Sequence, residues 1–372
     1  MKHSENNNFK GVIEIKIIKA NGTPSEIGLK HGNNAKNEVH YSIDSYEKLF
    51  YNNAGINWKQ AIELAKKYID VIETSNLDLL EEMEGIAKGA SVEFEDILAL
   101  NARSEIALTN NVNDGCTSLA IMPPLSDKAY LAQNWDWRSA QSRSLIMLDM
   151  HQNNGTTIQM VTEGGIIGKI GLNNHGLGVC LNALRANVKS NQLPVHLGLR
   201  EVLNAESIDE AEQKVIGGKL GSSANFLIAQ SNNEIMKAIN LELSPRKYDK
   251  KETDNAYLYH TNHFCSEIVT KDIGKENLNT IDNTYSRFDR IDKLISNKAD
   301  EKELISESII KEWLSDHKND PSSICRHLNE LESPYEDTIT AFSIIMNLTD
   351  KKMYLMEGQP CQPLEEYHFK IT

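Results

Sequence analysis

The sequence changes its pattern at one short polar stretch, which reads Asn111-Val112-Asn113-Asp114-Gly115-Cys116-Thr117-Ser118. Before this stretch, apolar residues recur at the i, i+3, i+4, i+7 spacing of a helical face, so residues 23–108 are predicted to be helical after a short β-like run at 12–18. After it, short apolar runs bounded by turn residues indicate many strands, and helices gather near 195–216 and 285–331. This arrangement favours an α+β layered fold over a parallel doubly wound sheet.

Three local features can also be predicted. One helix of the first part is expected to end at Gly89, because glycine is a frequent helix C-cap. Trp135 and Trp137 alternate along a strand and should face the same layer, as core or pocket wall. The chain should close with a hairpin formed by residues 341–348 and 352–356.

The overall composition excludes several classes of partner. The chain has 372 residues, 40% of them hydrophobic, and a formal net charge of −14. This acidic surplus argues against nucleic acid and against an anionic membrane surface. No 18 apolar residues run together, and no apolar segment follows the polar N-terminus, so we expect neither a membrane span nor a signal peptide. The predicted location is the cytoplasm.

The cysteines follow no recognisable framework. There are five of them: Cys116, Cys180, Cys265, Cys325 and Cys361. Their number is odd, they form no CxxC pair, and their spacing fits no familiar zinc motif. The pattern predicts a reducing compartment without a disulfide framework. The four cysteines other than Cys116 are expected to be core residues.

The Gly115-Cys116 step has the chemistry of a self-cleavage site. Gly115 has no side chain, so its carbonyl is open to attack and its backbone can adopt unusual conformations. A Cys116 thiolate could attack that carbonyl, form a thioester and, after hydrolysis, become a new N-terminus. The α-amine that is released has an ordinary pKa of ~7.7–8.0 and could act as general base to its own thiol. Taken alone, however, a Gly-Cys dipeptide is a weak signal.

A series of segments in order along the chain strengthens this signal. They are Leu100–Ile106, Asp114–Thr117, Gln133–Trp137, Glu163–Gly171, Cys180–Leu184, Ser222–Phe226, His260–His263, Ser286–Phe288 and the closing stretch Ser343–Cys361. From roughly Gly22 to Cys361, the sequence resembles the acyl-coenzyme A:6-aminopenicillanic-acid acyltransferase family, also called isopenicillin-N acyltransferases. This family is an autoproteolytic branch of the N-terminal-nucleophile hydrolases, related to bile-salt hydrolases and penicillin V acylases.

The resemblance implies roles for four residues around the cleavage site. Cys116 matches the nucleophile and new N-terminus, and Gly115 the residue before the cut. Asp136 matches the aspartate that holds the nucleophile's α-amine, where its charge would favour the ammonium form. Asn262 matches the asparagine that polarises the acyl carbonyl.

Three further positions are compared with the bile-salt-hydrolase relatives. Asn182 matches a second contributor to the oxyanion hole. Arg287 matches an arginine that would help to keep the nucleophilic sulfur as thiolate. Those relatives also carry an arginine three residues before the aspartate, where this chain has Gln133. The acyltransferase branch shares this glutamine, so the difference favours that branch over the bile-salt hydrolases.

The resemblance also implies an architecture and a reaction. The fold would be a four-layer αββα sandwich in which residues 1–115 become a retained small subunit and residues 116–372 the catalytic subunit. The substrate would be a small N-acyl amide or acyl thioester, cleaved by water or transferred to an amine without a metal or organic cofactor. The oligomeric state stays open, a homo-oligomer included. Two alternatives remain: an unprocessed small-molecule-binding protein of the same fold, and a papain-like Cys-His enzyme using His260 or His263.

Overall fold

The first part of the chain is helical, as predicted. The computed structural model describes residues 14–107, 115–233, 235–253, 256–279, 283–328 and 337–371, so the polar stretch at 111–114 and the start of the β-like run lie outside the described residues. Up to residue 107 the elements are β1 (Lys16–Gly22), α1 (Pro24–Asn34), α2 (Lys36–Ala54), α3 (Trp58–Ala65), α4 (Ile69–Ser75), α5 (Leu77–Ala90), α6 (Phe94–Asn101) and α7 (Arg103–Ala107).

The remaining helices lie between or after the strands of the second part. They are α8 (Val195–Asn204), α9 (Ile208–Val215), α10 (Glu267–Ile273), α11 (Asn283–Glu301) and α12 (Glu307–Leu314). Short 3₁₀ helices occur at Lys66–Tyr68, Ser139–Ser144 and Lys275–Asn277. Among the helices in the described ranges, none combines the length and the apolar character that crossing a bilayer requires.

The prediction that Gly89 ends its helix is wrong. Helix α5 reaches Ala90, and the residue that caps it is Ser91, in the left-handed conformation with φ 59°. Gly89 instead lies where α5 crosses α1, and a Cβ there would be 2.6 Å from the carbonyl oxygen of Leu29. The glycine is needed for close approach of two backbones, which a capping rule cannot reveal.

Two β-sheets form the centre of the molecule. Their strands after β1 are β2 (Gly115–Ile121), β3 (Tyr130–Arg138), β4 (Leu145–Gln152), β5 (Thr157–Glu163), β6 (Ile170–Asn173), β7 (Leu177–Ala183), β8 (Ala224–Ser231), β9 (Met236–Leu243), β10 (Tyr248–Glu252), β11 (Tyr257–His260), β12 (Thr338–Asn347), β13 (Lys352–Glu357) and β14 (Glu366–Lys370). Sheet A has the order β1-β4-β5-β6-β7-β8-β9-β10, and sheet B the order β11-β2-β3-β12-β13-β14. The predicted closing hairpin is confirmed as β12–β13.

The sheets pack face to face between two helical layers. Strand β7 of sheet A contacts β2 and β3 of sheet B, while helices α1, α2, α8 and α9 contact sheet A and helices α11 and α12 contact sheet B. Every residue of β2 and β3 is buried, as expected for strands covered on both faces. The αββα sandwich implied by the resemblance is therefore confirmed.

Strand pairing places the residues of interest at the centre of this sandwich. Strands β2 and β3 are antiparallel, and Gly115 pairs with Asp136 and Cys116 with Trp135. Strand β11 covers the other edge of β2, with His260 opposite Ser118. The nucleophile candidate thus begins a central strand of sheet B, facing sheet A.

Candidate active site

Three of the predicted side chains meet at the main chain of Cys116. The Cys116 N–H donates to Oδ1 of Asn262 at 2.8 Å. Its carbonyl oxygen accepts from Nη1 of Arg287 at 2.6 Å and from Nδ2 of Asn182 at 3.3 Å. These side chains come from the segment after β11, from α11 and from β7, so residues far apart in sequence fix one residue of β2 from three directions.

Asp136 stands beside the residue that precedes Cys116. The two strands place it opposite Gly115, and a Cβ on that glycine would lie 2.7 Å from Oδ2 of Asp136. The other oxygen, Oδ1, accepts from Oγ1 of Thr340 at 2.8 Å, and Nε of Arg326 lies 3.9 Å from Oδ2. The fully buried carboxylate is therefore held in place next to the Gly115–Cys116 bond.

Asn262 is positioned by both ends of its side chain. Its Oδ1 also accepts from Nη2 of Arg287 at 2.9 Å, and its Nδ2 donates to the carbonyl oxygen of Ala183 at 3.2 Å. Its own N–H donates to Oγ1 of Thr284 at 2.7 Å. The amide that was predicted to polarise an acyl carbonyl therefore lies between the end of β7 and the nitrogen of Cys116.

Asn182 and Gln133 connect the two sheets at the site. Nδ2 of Asn182 also donates to the carbonyl oxygen of His260 at 3.2 Å, and its Oδ1 accepts from Oγ of Ser118 at 2.6 Å. Gln133 of β3 bonds both the N–H and the carbonyl oxygen of Leu181 in β7, at 3.0 and 2.5 Å. Gln133 thus holds β7 against β3 at Leu181, the residue that precedes Asn182.

Arg287 is a fully buried cation with several acceptors around it. Besides Cys116 and Asn262, its guanidinium donates to Oγ1 of Thr117 at 3.2 Å and to Oδ1 of Asn283 at 3.1 Å. Such charge-assisted bonds are stronger than neutral ones and fix a planar group rigidly. The structure thus places Arg287 beside Cys116, and its role towards the sulfur stays a prediction.

Sequence reasoning missed a buried charged network that includes Glu163 and Lys169. Lys169 pairs with Glu163, and its Nζ lies 3.4 Å from the ring centroid of Trp135, the partner of Cys116. Arg103 bonds Glu163 at 3.3 Å. Burial alone would raise the pKa of Glu163, but the charges of Arg103 and Lys169 outweigh it and lower that pKa to about 2. Burial lowers the pKa of Lys169.

One signal could have revealed this network. Glu163 and Lys169 flank an apolar and glycine-rich run that belongs to a buried strand region, and charged residues are rarely fully buried unless they are paired. Both residues lie inside a segment that carried the family resemblance, yet their charges were given no role.

A small cavity opens beside Cys116. Its volume is about 50 Å³, room for a few water molecules. The residues that form its wall near the nucleophile are Cys116, Trp135, Trp137, Leu181, Arg103 and Arg185. The two tryptophan rings stack with centroids 5.8 Å apart, so they face the same layer, as their alternation predicted. The cavity therefore combines an apolar wall with positive charge.

His260 and His263 have partners other than Cys116. Nδ1 of His260 bonds the carbonyl oxygen of Thr261 at 2.8 Å, and its Nε2 bonds Glu242 at 3.0 Å. Burial would lower the pKa of His260, but Cys265 and Glu242 outweigh it and raise that pKa to about 10. Nδ1 of His263 bonds Oγ1 of Thr284 at 3.0 Å, and its Nε2 lies 3.7 Å from the sulfur of Cys265. These contacts engage both ring nitrogens of each histidine.

The expectation that four cysteines are core residues is half wrong. Cys180 and Cys325 are buried, but Cys265 and Cys361 are exposed. Cys265 lies between β11 and α10, and Cys361 between β13 and β14. Both are in connecting segments, which usually run over the protein surface, and the sequence pattern around them did not show this.

Comparison with known proteins identifies similar sequences and structures. A family model described as acyl-coenzyme A:6-aminopenicillanic acid acyl-transferase matches residues 125–362. The acyl-coenzyme A:6-aminopenicillanic-acid-acyltransferase 40 kDa form from Emericella nidulans is 34% identical over 354 residues, which cover 94% of each chain.

Among solved structures, a conjugated bile acid hydrolase from Clostridium perfringens is similar with 13% identity and a TM-score of 0.47, covering 69% of this chain and 92% of the other. Penicillin V acylase from Agrobacterium tumefaciens is similar with 10% identity and a TM-score of 0.43, covering 69% and 86%. At these scores the structural likeness adds no argument. The family model and the fungal relative show that the chain belongs to the acyl-coenzyme A:6-aminopenicillanic-acid acyltransferase family.

Proposed function

We propose that the chain is a self-processing cysteine N-terminal-nucleophile enzyme. It cleaves itself between Gly115 and Cys116 and then acts on acyl–amide bonds through an acyl-thioester on Cys116, as amidohydrolase or acyltransferase. The observation that carries the proposal is the convergence of three polar side chains on the main chain of Cys116, with the Asp136 carboxylate opposite Gly115. A buried cysteine with only a packing role needs no such arrangement.

The cleavage step uses groups that lie next to the bond. The Cys116 sulfur adds to the carbonyl carbon of Gly115, the C–N bond between the residues breaks, and the thiol proton passes to the departing nitrogen. Water then hydrolyses the thioester, which leaves a carboxylate on Gly115 and a free thiol and α-amine on Cys116. The buried carboxylate of Asp136 favours the ammonium form of the new amine.

Turnover uses the same residue as nucleophile and base. The α-amine, with an ordinary pKa of ~7.7–8.0, accepts the thiol proton as the sulfur adds to the acyl carbonyl of the substrate. The amide groups of Asn262 and Asn182 are the proposed donors to the developing oxyanion, since neutral N–H groups donate without titrating. The leaving group takes the proton from the α-ammonium, and the acyl group passes from sulfur to water or to an amine.

The cavity and the fungal relative support a small acyl substrate. Trp135, Trp137 and Leu181 give an apolar wall beside the nucleophile, suited to the hydrocarbon part of an acyl group. The relative is named for acyl-coenzyme A and 6-aminopenicillanic acid. We therefore propose an N-acyl amide or an acyl thioester as donor.

The N-terminal fragment should stay bound after cleavage as the small subunit, residues 1–115. Strand β1 pairs in parallel with β4 along all seven of its residues, Lys16 to Gly22. Glu82 of α5 forms a buried bidentate pair with Arg200 of α8, at 2.9 and 2.7 Å. Both interactions join residues before the proposed cleavage site to residues after it. They are non-covalent, so they would remain after the peptide bond is cleaved.

Intact-mass spectrometry of the wild type beside Cys116→Ala tests the proposal. We expect fragments 1–115 and 116–372 from the wild type and a single chain from the variant. The processed protein is then incubated with a panel of N-acyl amides and acyl thioesters, where an acyl adduct on Cys116 is expected. If the wild type stays whole after ageing and yet binds a small acyl ligand, the chain is a binding protein of this fold. If the uncleaved wild type turns substrate over, a Cys-His mechanism replaces the proposed one.

A further inference from the structure

Four side chains of metal-binding types lie close together, on the connections that lead into β12 and β14. They are His317, Cys325, His327 and Cys361. The first three lie between α12 and β12, and Cys361 lies between β13 and β14. One ligand atom from each residue lies within 4.8 Å of the other three. Cys325 is buried, and the other three are exposed.

The S–S distance and the two distances from His327 to sulfur are close to the edges of a tetrahedral zinc site, and the distance between the two imidazole nitrogens is shorter than such an edge. The two sulfurs are 3.6 Å apart, and Nε2 of His327 lies 3.8 Å from Cys325 and 3.3 Å from Cys361. Nε2 of His317 lies 2.9 Å from Nε2 of His327. Zinc bonds of about 2.3 Å to sulfur and about 2.0–2.1 Å to nitrogen give edges of roughly 3.8 Å for S–S, 3.6 Å for S–N and 3.4 Å for N–N.

We propose that His317, Cys325, His327 and Cys361 bind one structural zinc ion. Two thiolates and two imidazoles are a ligand set that selects zinc among the common divalent ions, and four protein ligands leave no open position for a substrate. The ion would join the α12–β12 connection to the β13–β14 connection. Its role would be to fix these two surface segments relative to each other.

The segment that carries three of the ligands is already ordered by other bonds. The N–H of Cys325 donates to the carbonyl oxygen of Asp316 at 3.0 Å, and Oγ of Ser323 donates to the carbonyl oxygen of Cys325 at 2.5 Å. The side chain of Asp316 accepts from Nε of Arg290 at 3.0 Å. The ligands therefore do not depend on the ion for their approximate positions, which lowers the ordering cost of binding it.

The site is also connected to the residue opposite the cleavage bond. Arg326, between two ligands, donates its N–H to Oγ1 of Thr340 at 2.9 Å, and that hydroxyl donates to Asp136 at 2.8 Å. An ion that fixes Cys325 and His327 would thus fix Arg326 and, through Thr340, the carboxylate of Asp136. Zinc would act here as a positioning element and not in the chemistry.

Metal content of the protein tests this proposal. The chain is expressed without a polyhistidine tag in zinc-supplemented medium and analysed by inductively coupled plasma mass spectrometry. We expect one zinc ion per chain in the wild type and loss of it in Cys361→Ser and in His317→Ala, both changes of exposed ligands. Cys265→Ser, at the other exposed cysteine, and Cys116→Ala should keep the ion. Cobalt(II) in place of zinc should give the visible absorption of tetrahedral thiolate coordination.

Several outcomes would overturn the proposal. The reduced wild type could take up no zinc during reconstitution, or both ligand variants could retain it at the level of the wild type. The isolated protein could also contain a Cys325–Cys361 disulfide and take up no zinc once that disulfide is reduced. This result would assign the two cysteines to a redox role instead. Circular dichroism of each variant checks that it is folded. Because Cys116→Ala is expected to keep the zinc, failure of this proposal and failure of self-processing are distinguishable.

Discussion

Gly115 lies opposite Asp136 in the β2–β3 ladder, with so little space between them that a methyl group on Gly115 would come within 2.7 Å of the carboxylate. We therefore expect Gly115→Ala to displace the scissile bond from Asp136 and to block or strongly slow self-cleavage, measured by intact mass over time. Overpacking of this kind also costs about 1–3 kcal/mol of stability.

Gly155→Ala is the matched control for Gly115→Ala. Gly155 has a φ of +91° and open space around it, so alanine is strained there without touching the site. The control should lower the melting temperature and still cleave at the rate of the wild type. Equal cleavage of Gly115→Ala and wild type would contradict the proposed role of this contact.

Asn262→Asp tests the proposed oxyanion donor. The change keeps the shape of the side chain and the acceptor for the nitrogen of Cys116, but it replaces the Nδ2 donor by an oxygen. Loss of one such donor lowers kcat by about 10²–10³. The measurement is kcat on the processed fraction, with Asn174→Ala, in the half-buried turn after β6, as control. An unchanged kcat in Asn262→Asp would show that Asn262 is not a donor to the oxyanion.

The pair Glu82–Arg200 should hold the fragments together after cleavage. Arg200→Ala leaves a buried, unpaired carboxylate on Glu82, and breaking a buried pair in this way costs about 3–5 kcal/mol. We expect the fragments of the processed variant to separate at lower urea concentration, measured by size-exclusion chromatography. The exposed pair Lys66–Glu63 is the comparison, and the fragments of Lys66→Ala should separate at the same urea concentration as those of the wild type. If the fragments of Arg200→Ala and Lys66→Ala separated at the same urea concentration, this prediction would be contradicted.

Acid should destabilise the protein through Glu163. Its pKa falls from 4.5 to about 2 on folding, so the unfolded chain binds more protons between these values and the unfolding free energy rises with pH there. The stabilisation is present above pH 4.5 and is lost as the pH falls towards 2. In Glu163→Gln the unfolding free energy should depend less steeply on pH. The slope should fall by the equivalent of up to one bound proton, which is about 1.4 kcal/mol per pH unit. Chemical unfolding at several pH values measures this slope, with Glu84→Gln, a change at an exposed glutamate, as the surface control.

The two-part pattern and the fold class could be predicted from the sequence because helical and strand periodicities are local properties. The position of Cys116 at the start of a strand followed from the same pattern. The convergence of Asn262 and Arg287 on this residue did not, since α11 and the segment after β11 meet β2 only through tertiary packing. Those residues were named from the family resemblance and not from periodicity.

Other parts of the site could not be predicted without the three-dimensional arrangement of the chain. Lys169 reaches Trp135 only because β3 and the segment before β6 lie on facing sheets, so their sequence separation carries no hint of contact. The cluster of His317 and Cys361 is a similar case, because its ligands come from two connections that only the order of strands in sheet B brings together. Spacing rules find sites whose ligands are all neighbours along the chain, and Cys361 lies far from the other three ligands in sequence.

Strand β1 forms one edge of sheet A by pairing with β4, and it belongs to the fragment that precedes Cys116. A chain that started at Cys116 would therefore expose the N–H and carbonyl groups of β4 along that edge, together with the apolar face that α1 and α2 cover. Unprotected edges of this kind invite aggregation with other chains. We therefore expect the residues before Cys116 to be required for a soluble fold. Deleting it, or expressing the second part by itself, should yield insoluble protein, whereas supplying both parts as separate chains should restore a soluble complex.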